Sequence, residues 1–267
     1  MWAAQCVALD RGPDGLHTRG VNPTGSPLRW FAQGEDHLPI GDAWLSSAER
    51  ERAAAMRFAK RRNEFLVSRW TAKQALALAL DPAPADPSEL EVRHAPTGAP
   101  LAFVSGAPGP CSISLTDRAG WAVCLIGPQD RLVGCDLELV EERSPAFVND
   151  WLTPSEQEAV TATGSDHDLL ANLIWSAKES ALKVLQTGLR RPTRSVEVTL
   201  HEETAGEWTA LTVRAIEGPA FPGWWCRHGD FILTVAADAP LPPPTSLVSP
   251  TPLGDAVPTH SWLAEFS

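Results

Sequence analysis

A long stretch of the chain, residues 46–80, combines apolar residues at helical spacing with many alanines. Phe65 and Leu76 belong to this apolar series, and no proline or glycine interrupts it before Pro82. A period near 3.6 residues without helix breakers predicts a helix. We therefore expect residues 46–80 to be helical, followed by a proline-rich connector at residues 81–88.

Short apolar segments bounded by turn residues predict strands in much of the remaining chain. Trp121 and Val123 belong to a typical one, which ends at a Gly127-Pro128 turn. The predicted strands cover residues 1–9, 90–93, 111–115, 120–126, 131–139, 195–200, 207–215 and 231–236. The Trp224-Trp225 pair is expected in a loop between the last two.

A second helical region begins at a capping signal. Thr153 and Glu156 take the N-cap and N3 positions of a predicted capping box. A longer helix is predicted over residues 168–186, ending near Gly188. The last 29 residues, 239–267, contain seven prolines, which predicts an extended and weakly ordered tail.

The charge of the chain limits its partners. The 267 residues carry 33 acidic and 22 basic side chains, so nucleic acid and anionic membranes are not expected as partners. The charge is uneven, because residues 49–73 hold eight basic and three acidic groups, a net +5. This basic segment suits a phosphate-bearing ligand, although a solvated helix face has the same composition.

Cysteine and histidine spacing argues against a zinc site. The five cysteines lack C-x-x-C spacing and the seven histidines lack H-x-x-x-H spacing, so neither a disulfide framework nor bound zinc is expected. Residues 1–9 lack a basic leader, and no apolar run approaches the roughly 18 residues of a membrane span. We expect a cytoplasmic protein.

Two short segments carry candidate chemistry. Asp136 and Glu138 lie two residues apart on a predicted strand and so point to one side. Paired carboxylates need a cation between them, such as Mg²⁺, unless they form a solvated acidic edge. Farther along, Trp175, Glu179 and Lys183 are spaced i, i+4, i+8 on one helix face, although surface Glu–Lys pairs share this spacing.

Together these segments are more specific than either alone. G-x-D-x-E, followed after about forty residues by W-x-x-K-E-x-x-x-K, resembles the 4′-phosphopantetheinyl transferases of the Sfp type. Other segments similar to that family are Phe65–Arg69, Ser112–Ser114 with Gly120–Val123 after it, and Trp151–Glu156. The resemblance covers roughly residues 1–238.

The resemblance implies an enzyme that transfers the 4′-phosphopantetheine arm of coenzyme A to a serine of an acyl or peptidyl carrier protein. Such carriers serve polyketide or nonribosomal peptide biosynthesis, and adenosine 3′,5′-bisphosphate is released. By similarity, Asp136, Glu138 and Glu179 hold Mg²⁺. Glu179 is also the general base, and Lys183 stabilises charge on the transferred phosphate. The implied coenzyme A-binding residues are Arg62, Arg69, Ser114 and Lys183.

The resemblance also implies the architecture. The expected α+β fold consists of two similar halves related by pseudo-twofold symmetry, with the ligand in the cleft between them. We assign residues 1–127 to the half with the basic helix, residues 128–238 to the half with the metal and catalytic motifs, and residues 239–267 to the proline-rich tail. A monomer is expected.

The chain departs from the family pattern at two phosphate-facing positions. Leu115 stands where the family has a histidine, and Ala99 stands where it commonly has a lysine. Arg118 or His94 could compensate for these changes. They also raise an alternative, in which the chain binds coenzyme A or a carrier protein but no longer performs the transfer, or catalyses a changed reaction.

Overall fold

The structure is a computed structural model that describes residues 27–187 and 190–259. In this part of the chain, α-helices and several β-sheets alternate, which confirms the predicted α+β class. The strand predicted at residues 1–9 and the helix stop predicted at Gly188 lie outside the described residues.

The first half of the fold contains two helices where one helical stretch was predicted. Its elements are β1 (Arg29–Gly34), α1 (Ser47–Ala54), α2 (Ala59–Ala79), β2 (Leu90–His94), β3 (Pro100–Val104), β4 (Ala107–Pro108), β5 (Cys111–Arg118) and β6 (Trp121–Pro128). The helical stretch is interrupted at Phe58, whose backbone is extended. Helix α1 buries only Glu49 and Ala53, so little apolar packing holds it in line with α2.

The second half has a similar order of elements, with three helices and four following strands in place of two helices and five strands. It contains β7 (Val133–Leu139), α3 (Pro145–Trp151), α4 (Pro154–Ala162), α5 (His167–Val184), β8 (Val196–Ala205), β9 (Trp208–Ala215), β10 (Ala220–His228) and β11 (Phe231–Ala237). The capping box at Thr153 and the long helix that follows are confirmed. A short strand, β12 (Thr245–Ser246), comes after both halves.

The chain follows a similar path in each half. A first strand leads into helices, the longest helix comes last, and antiparallel strands follow. The first strand of each half, β1 or β7, then pairs antiparallel with its last strand, β6 or β11. The sheets have the orders β12-β1-β6-β5, β7-β11-β10-β9-β8 and β2-β3-β4. This topology matches the expectation of two similar halves.

The inner faces of the two larger sheets share one hydrophobic cluster. Trp30 and Leu125 from the four-stranded sheet and Leu137 and Leu233 from the five-stranded sheet belong to it. Helix α2 packs on the outer face of the first sheet, and α5 packs on the outer face of the second. Burial of these apolar faces is the main driving force for this arrangement.

A buried glutamate–lysine pair occurs in both halves. Glu49 Oε2 lies 2.8 Å from Lys73 Nζ, and Glu156 Oε2 lies 2.6 Å from Lys178 Nζ. Each glutamate also completes a capping box at the start of a helix. These equivalent contacts support the internal similarity of the halves, which no repeat in the sequence indicates.

Strand β10 contains the Trp224-Trp225 pair, so the prediction of a loop there is wrong. The preceding Pro222-Gly223 resembles a turn in sequence, but Gly223 lies inside the strand. A Cβ on Gly223 would come 2.1 Å from the carbonyl oxygen of Val235, so the close approach of β11 requires glycine.

The proline-rich tail is ordered as far as residue 259, contrary to the prediction of weak order. Strand β12 pairs parallel with β1, and Leu253 is buried in the inner cluster. The tail also accepts hydrogen bonds from two tryptophans, Trp224 to the Leu241 carbonyl at 3.0 Å and Trp121 to the Val257 carbonyl at 3.1 Å. These long-range contacts give the tail the order that its composition does not predict.

Over the described residues, no helix has both the length and the apolar character that a membrane crossing needs.

Candidate active site

The site lies where the two larger sheets meet, at strands β5 and β7. Ser114 Oγ accepts a hydrogen bond from the Cys135 backbone N–H at 3.0 Å, and Thr116 Oγ1 accepts one from the Leu137 N–H at 3.2 Å. Because side chains alternate along a strand, both hydroxyls lie on one side of β5. They bind β7 to β5 and so fix the position of Asp136, which lies between Cys135 and Leu137.

Asp136 is held by one oxygen. Its Oδ1 accepts hydrogen bonds from Thr116 Oγ1 at 3.2 Å and from Lys183 Nζ at 2.9 Å. Its Oδ2 is buried and has no hydrogen-bond partner among the described residues. Lys183 also donates to the Cys135 carbonyl at 2.7 Å. Burial lowers the pKa of Lys183, but the charge and hydrogen bond of Asp136, together with Cys135 and Glu179, raise it by more, so Lys183 is a cation at neutral pH.

Close packing of α5 against the sheet brings the helix motif to the strand motif. Ser176 and Ser180 contact the Thr234 hydroxyl on β11 at 2.9 and 2.7 Å. A Cβ on Gly134, the glycine of G-x-D-x-E, would come 2.0 Å from the Ser180 carbonyl oxygen. Glycine at this position therefore allows Glu179 and Lys183 to reach Asp136.

Glu179 is half-buried on α5, and its Oε1 atom is buried without a hydrogen-bond partner in residues 27–187 and 190–259. Burial, with the nearby Asp136 carboxylate, raises the pKa of Glu179 to about 7, while Lys183 opposes the shift. A carboxylate with a pKa near the working pH can both accept a proton and release it, as a general base requires.

Glu138 is bound by cations and an indole. Its Oε1 accepts from Trp175 Nε1 at 2.8 Å, and its Oε2 lies 3.1 Å from Arg143 and 3.3 Å from Arg118. Burial, then the neighbouring Asp136, raises the pKa of Glu138 to about 7, and the two arginines oppose this shift. Trp175, the first residue of the helix motif, therefore contacts a site residue directly.

The chemistry of Asp136 and Glu179 fits a divalent cation. Each presents a buried oxygen that has no partner in the described part of the chain. Mg²⁺ uses one or two carboxylates together with substrate phosphates, so two such oxygens suffice. Over the same residues, the oxygens of Asp136, Glu138 and Glu179 do not all lie within 4.8 Å of one another. Glu138 instead forms ion pairs with Arg118 and Arg143. The three predicted ligands therefore lie near one another, but their oxygens do not converge on one ion position.

A cavity of about 1140 Å³ opens beside the carboxylates. Ser114 on β5, Lys183 on α5 and Arg69 on α2 all line it. Its cationic side chains are Arg52, Arg61, Arg69, Arg131, Lys183 and Arg190, against the acidic Glu64 and Asp117. Arg62, predicted to bind the ligand, is exposed on α2 and does not belong to the cavity lining among the described residues. The excess of cations suits an anionic ligand.

Arg69 is the most buried of these arginines. Its guanidinium lies 3.8 Å from Glu49 and 4.5 Å from the centre of the Phe65 ring, and burial lowers its pKa to about 10. The guanidinium remains charged at neutral pH, and its position is fixed by packing. A fixed cation on a cavity wall can bind phosphate without losing further side-chain entropy.

The two unusual positions, Leu115 and Ala99, both line the cavity. Of the two possible replacements, Arg118 binds Glu138 and Glu141 instead of facing the cavity. His94 does line the cavity, with Arg52 at 3.1 Å and Arg69 at 3.4 Å from its ring nitrogens. Burial and these two arginines lower the pKa of His94 to about 4, so its ring is neutral at pH 7. Arginines rather than His94 supply the positive charge here.

Comparison with known proteins assigns the strand and helix motifs to one family. Residues 132–236, which contain Asp136, Glu138, Glu179 and Lys183, match the model of the 4′-phosphopantetheinyl transferase superfamily. This part of the chain is therefore similar to the 4′-phosphopantetheinyl transferase superfamily. The family resemblance inferred from the motifs is thereby confirmed at the level of the superfamily.

A phosphopantetheinyl transferase from Thraustochytrium sp. (strain ATCC 26185 / S-3) is 30% identical over 179 residues, which cover 61% of this chain and 60% of the relative. The chain thus spans about 60% of this relative's length. The crystal structure of Thermotoga maritima holo-[acyl-carrier-protein] synthase (AcpS) matches with a TM-score of 0.32 and 19% identity, over 47% of this chain and 74% of that one.

Three residues of the candidate site have roles that the sequence did not predict, although the sequence suggests Arg118 as a replacement at the phosphate-facing positions. Thr116 supports Asp136, while Arg118 and Arg143 bind Glu138. A local signal exists for Thr116, because Ser112, Ser114 and Thr116 alternate along one strand. The arginines have no such signal, since only the folded chain brings them to Glu138.

Proposed function

We propose that the chain transfers the 4′-phosphopantetheine arm of coenzyme A to a serine hydroxyl of an acyl or peptidyl carrier protein, with Mg²⁺ as cofactor. The observation that carries this proposal is the pair of buried oxygens on Asp136 and Glu179 that have no partner among the described residues. They lie near Lys183, which lines a cationic cavity. The superfamily match and the printed name of the Thraustochytrium relative support it.

Coenzyme A would occupy the cavity. Its volume of about 1140 Å³ suits a large nucleotide ligand, and its arginines suit the phosphates. Arg69 from α2 and Lys183 from α5 would bind phosphate groups, and Ser114 would contact the ligand from β5. Arg62 is exposed on α2, so it would attract the phosphates only through its charge, and solvent and salt would screen that attraction.

Asp136 and Glu179 would hold Mg²⁺, and Glu138 would join them when it releases its arginines. The ion, when bound, neutralises pyrophosphate charge and makes the phosphorus more electrophilic. Until that release, Arg118 and Arg143 pair with Glu138 and favour its ionised form.

In the reaction, the serine oxygen forms a bond to the phosphorus that carries the pantetheine arm. The bond from that phosphorus to the bridging oxygen breaks, and adenosine 3′,5′-bisphosphate leaves. Glu179 accepts the serine proton, directly or through water. Lys183, fixed by Asp136 and the Cys135 carbonyl, stabilises the charge on the phosphate oxygens.

Incubation with an apo carrier protein, coenzyme A and Mg²⁺ tests the proposal. We expect the carrier to gain the mass of one phosphopantetheine arm. Glu179→Gln should abolish the gain, while Glu158→Gln, a change at an exposed glutamate of α4, should preserve it. Absence of transfer at every coenzyme A concentration, with coenzyme A binding intact, would contradict the proposal.

That contrary result would favour a second function, binding without transfer. Leu115 and Ala99 support this candidate, because both line the cavity and neither donates a side-chain hydrogen bond to phosphate. The Leu115→His variant tests whether the missing histidine limits coenzyme A binding. A rise in coenzyme A affinity means that the position limits binding, and an unchanged affinity means that other cavity residues already replace the histidine.

We further propose that the chain acts as a monomer in the cytoplasm, on carrier proteins of polyketide or nonribosomal peptide biosynthesis. The motifs resemble the Sfp type, whose partners are such carriers. Size-exclusion chromatography with light scattering tests the monomer, and a panel of acyl and peptidyl carriers tests the partner.

A further inference from the structure

A second cluster of metal-binding side chains lies at the end of strand β10. Cys226 and His228 are two residues apart on this strand, and Glu207 lies in the turn between β8 and β9. One potential ligand atom from each of the three lies within 4.8 Å of the others. Such distances are compatible with coordination of a single ion.

This cluster is separate from the carboxylate site. Cys226 pairs with Leu233 and His228 with Phe231, whereas Asp136 pairs with Thr234. Because side chains alternate across a sheet, Cys226 and His228 point to the inner face, and Asp136 points to the opposite face, toward α5. An ion bound at one site would therefore not touch the other.

His228 supplies an independent observation that indicates a ligand. Its side chain is 9% exposed, and its Nε2 atom is buried with no hydrogen-bond partner anywhere in the described chain. The ring packs against Trp30 and Trp208, with ring centres 5.1 and 6.2 Å away. A buried polar atom without a partner is costly, and a metal ion would supply that partner.

The three donors differ in chemistry from the Mg²⁺ ligands of the carboxylate site. A thiolate and an imidazole favour a borderline ion such as Zn²⁺ over Mg²⁺, and Zn²⁺ also accepts a carboxylate oxygen as a ligand. One thiolate and one carboxylate neutralise the two charges of the ion. Cys226 is 5% exposed whereas Glu207 is exposed, so water can reach the ion from the Glu207 side.

We propose that Glu207, Cys226 and His228 bind one Zn²⁺ ion, with water in the fourth position. Binding releases the Cys226 thiol proton to solvent. The ion would connect the β8–β9 turn to the end of β10, next to Trp30 of the other sheet. The sequence gives little sign of the site, because a C-x-H spacing becomes a donor set only when the turn at Glu207 folds beside it.

Metal titration of the full-length, chelator-treated chain tests this proposal. We expect one equivalent of Zn²⁺ to bind, in competition with a chromophoric chelator, and to raise the melting temperature. Co²⁺ in its place should give a thiolate-to-cobalt charge-transfer band. Cys226→Ala should remove this band, while Cys111→Ser, a change at a half-buried cysteine outside the cluster, should leave it.

Glu207→Gln provides a second variant in case the buried positions do not tolerate change. Glu207 is exposed, so the fold should persist, and Zn²⁺ affinity should fall at least about tenfold. Asp136→Asn should leave this affinity unchanged, which separates the site from the carboxylate cluster. Zn²⁺ binding that is equal in the wild type and Glu207→Gln, or a folded wild type without the cobalt band, would overturn the proposal.

Discussion

Replacement of Glu179 by glutamine should stabilise the fold while it abolishes phosphopantetheinyl transfer. Glu179 carries its charge in a half-buried position near two other acids, Asp136 and Glu138. Its Oε1 atom has no partner among the described residues, and Lys183 bonds to Asp136. Glutamine keeps the size of the side chain and removes the charge. The free-energy cost of burying a carboxylate and the repulsion by Asp136 and Glu138 are therefore both removed.

The magnitude follows from the pKa of Glu179, which is raised from 4.5 to about 7. At about 1.4 kcal/mol per pH unit, this shift corresponds to an upper bound of about 3 kcal/mol, and solvent screening of a half-buried group reduces it to about 1–2 kcal/mol. The folded state binds the proton more tightly than the unfolded state. Stability is therefore lost as the pH rises from about 4.5 to about 7.

Urea unfolding of the wild type and Glu179→Gln in Mg²⁺-free buffer measures this effect. We expect the variant to be more stable by about 1–2 kcal/mol at pH 8 and equal to the wild type near pH 4.5. Glu158→Gln is the matched control and should show little change at either pH. The reasoning would be refuted if Glu179→Gln were no more stable than the wild type at pH 8, or if its gain were the same at both pH values.

Three further predictions concern residues that support the site. In urea unfolding, Thr116→Val should lower the free energy of unfolding by about 1–3 kcal/mol, because Asp136 loses a hydrogen-bond donor and the Leu137 N–H loses its acceptor. Thr116→Ser keeps the hydroxyl and should restore the stability. By calorimetry, Arg69→Gln should weaken coenzyme A binding by about tenfold or more, and Arg62→Gln should weaken it less; equal losses would contradict the cavity assignment. Lys178→Met should cost about 3–5 kcal/mol in the same unfolding assay, because it leaves a buried carboxylate unpaired, and a loss below about 1 kcal/mol would contradict that role.

Local periodicity predicted the parts of the site that lie on single elements. Asp136 and Glu138 do share one face of β7, because they pair with Thr234 and Ile232, two residues apart on β11. Glu179 lies on a helix close to the predicted one. In these cases the direction of each side chain depends on one strand or helix alone, so a short stretch of sequence is enough to predict it.

Contacts between distant elements could not be predicted in this way. Thr116 reaches Asp136 because β5 lies beside β7 without a backbone ladder, and Arg143 reaches Glu138 from the start of the helical region. The order of the tail has the same origin, since Leu253 is buried by residues far away in sequence. The alternation of hydroxyl residues along β5 marks Thr116 but does not identify its partner, and nothing in the tail sequence identifies the residues that bury Leu253.

The repeated glutamate–lysine pair explains why two adjacent charged residues of the helix motif have different roles. Lys178 pairs with Glu156 and not with the site carboxylates Asp136, Glu138 and Glu179. In the first half, Lys73 pairs with Glu49 in the same way. Neighbouring residues on a helix point about 100° apart, so Lys178 serves the fold while Glu179 faces the site. The equivalent neighbour of Lys73 is Gln74, which carries no charge. The first half therefore repeats the scaffold pair without the adjacent carboxylate, and the proposed transfer chemistry depends on a helix position that only the second half fills with an acid.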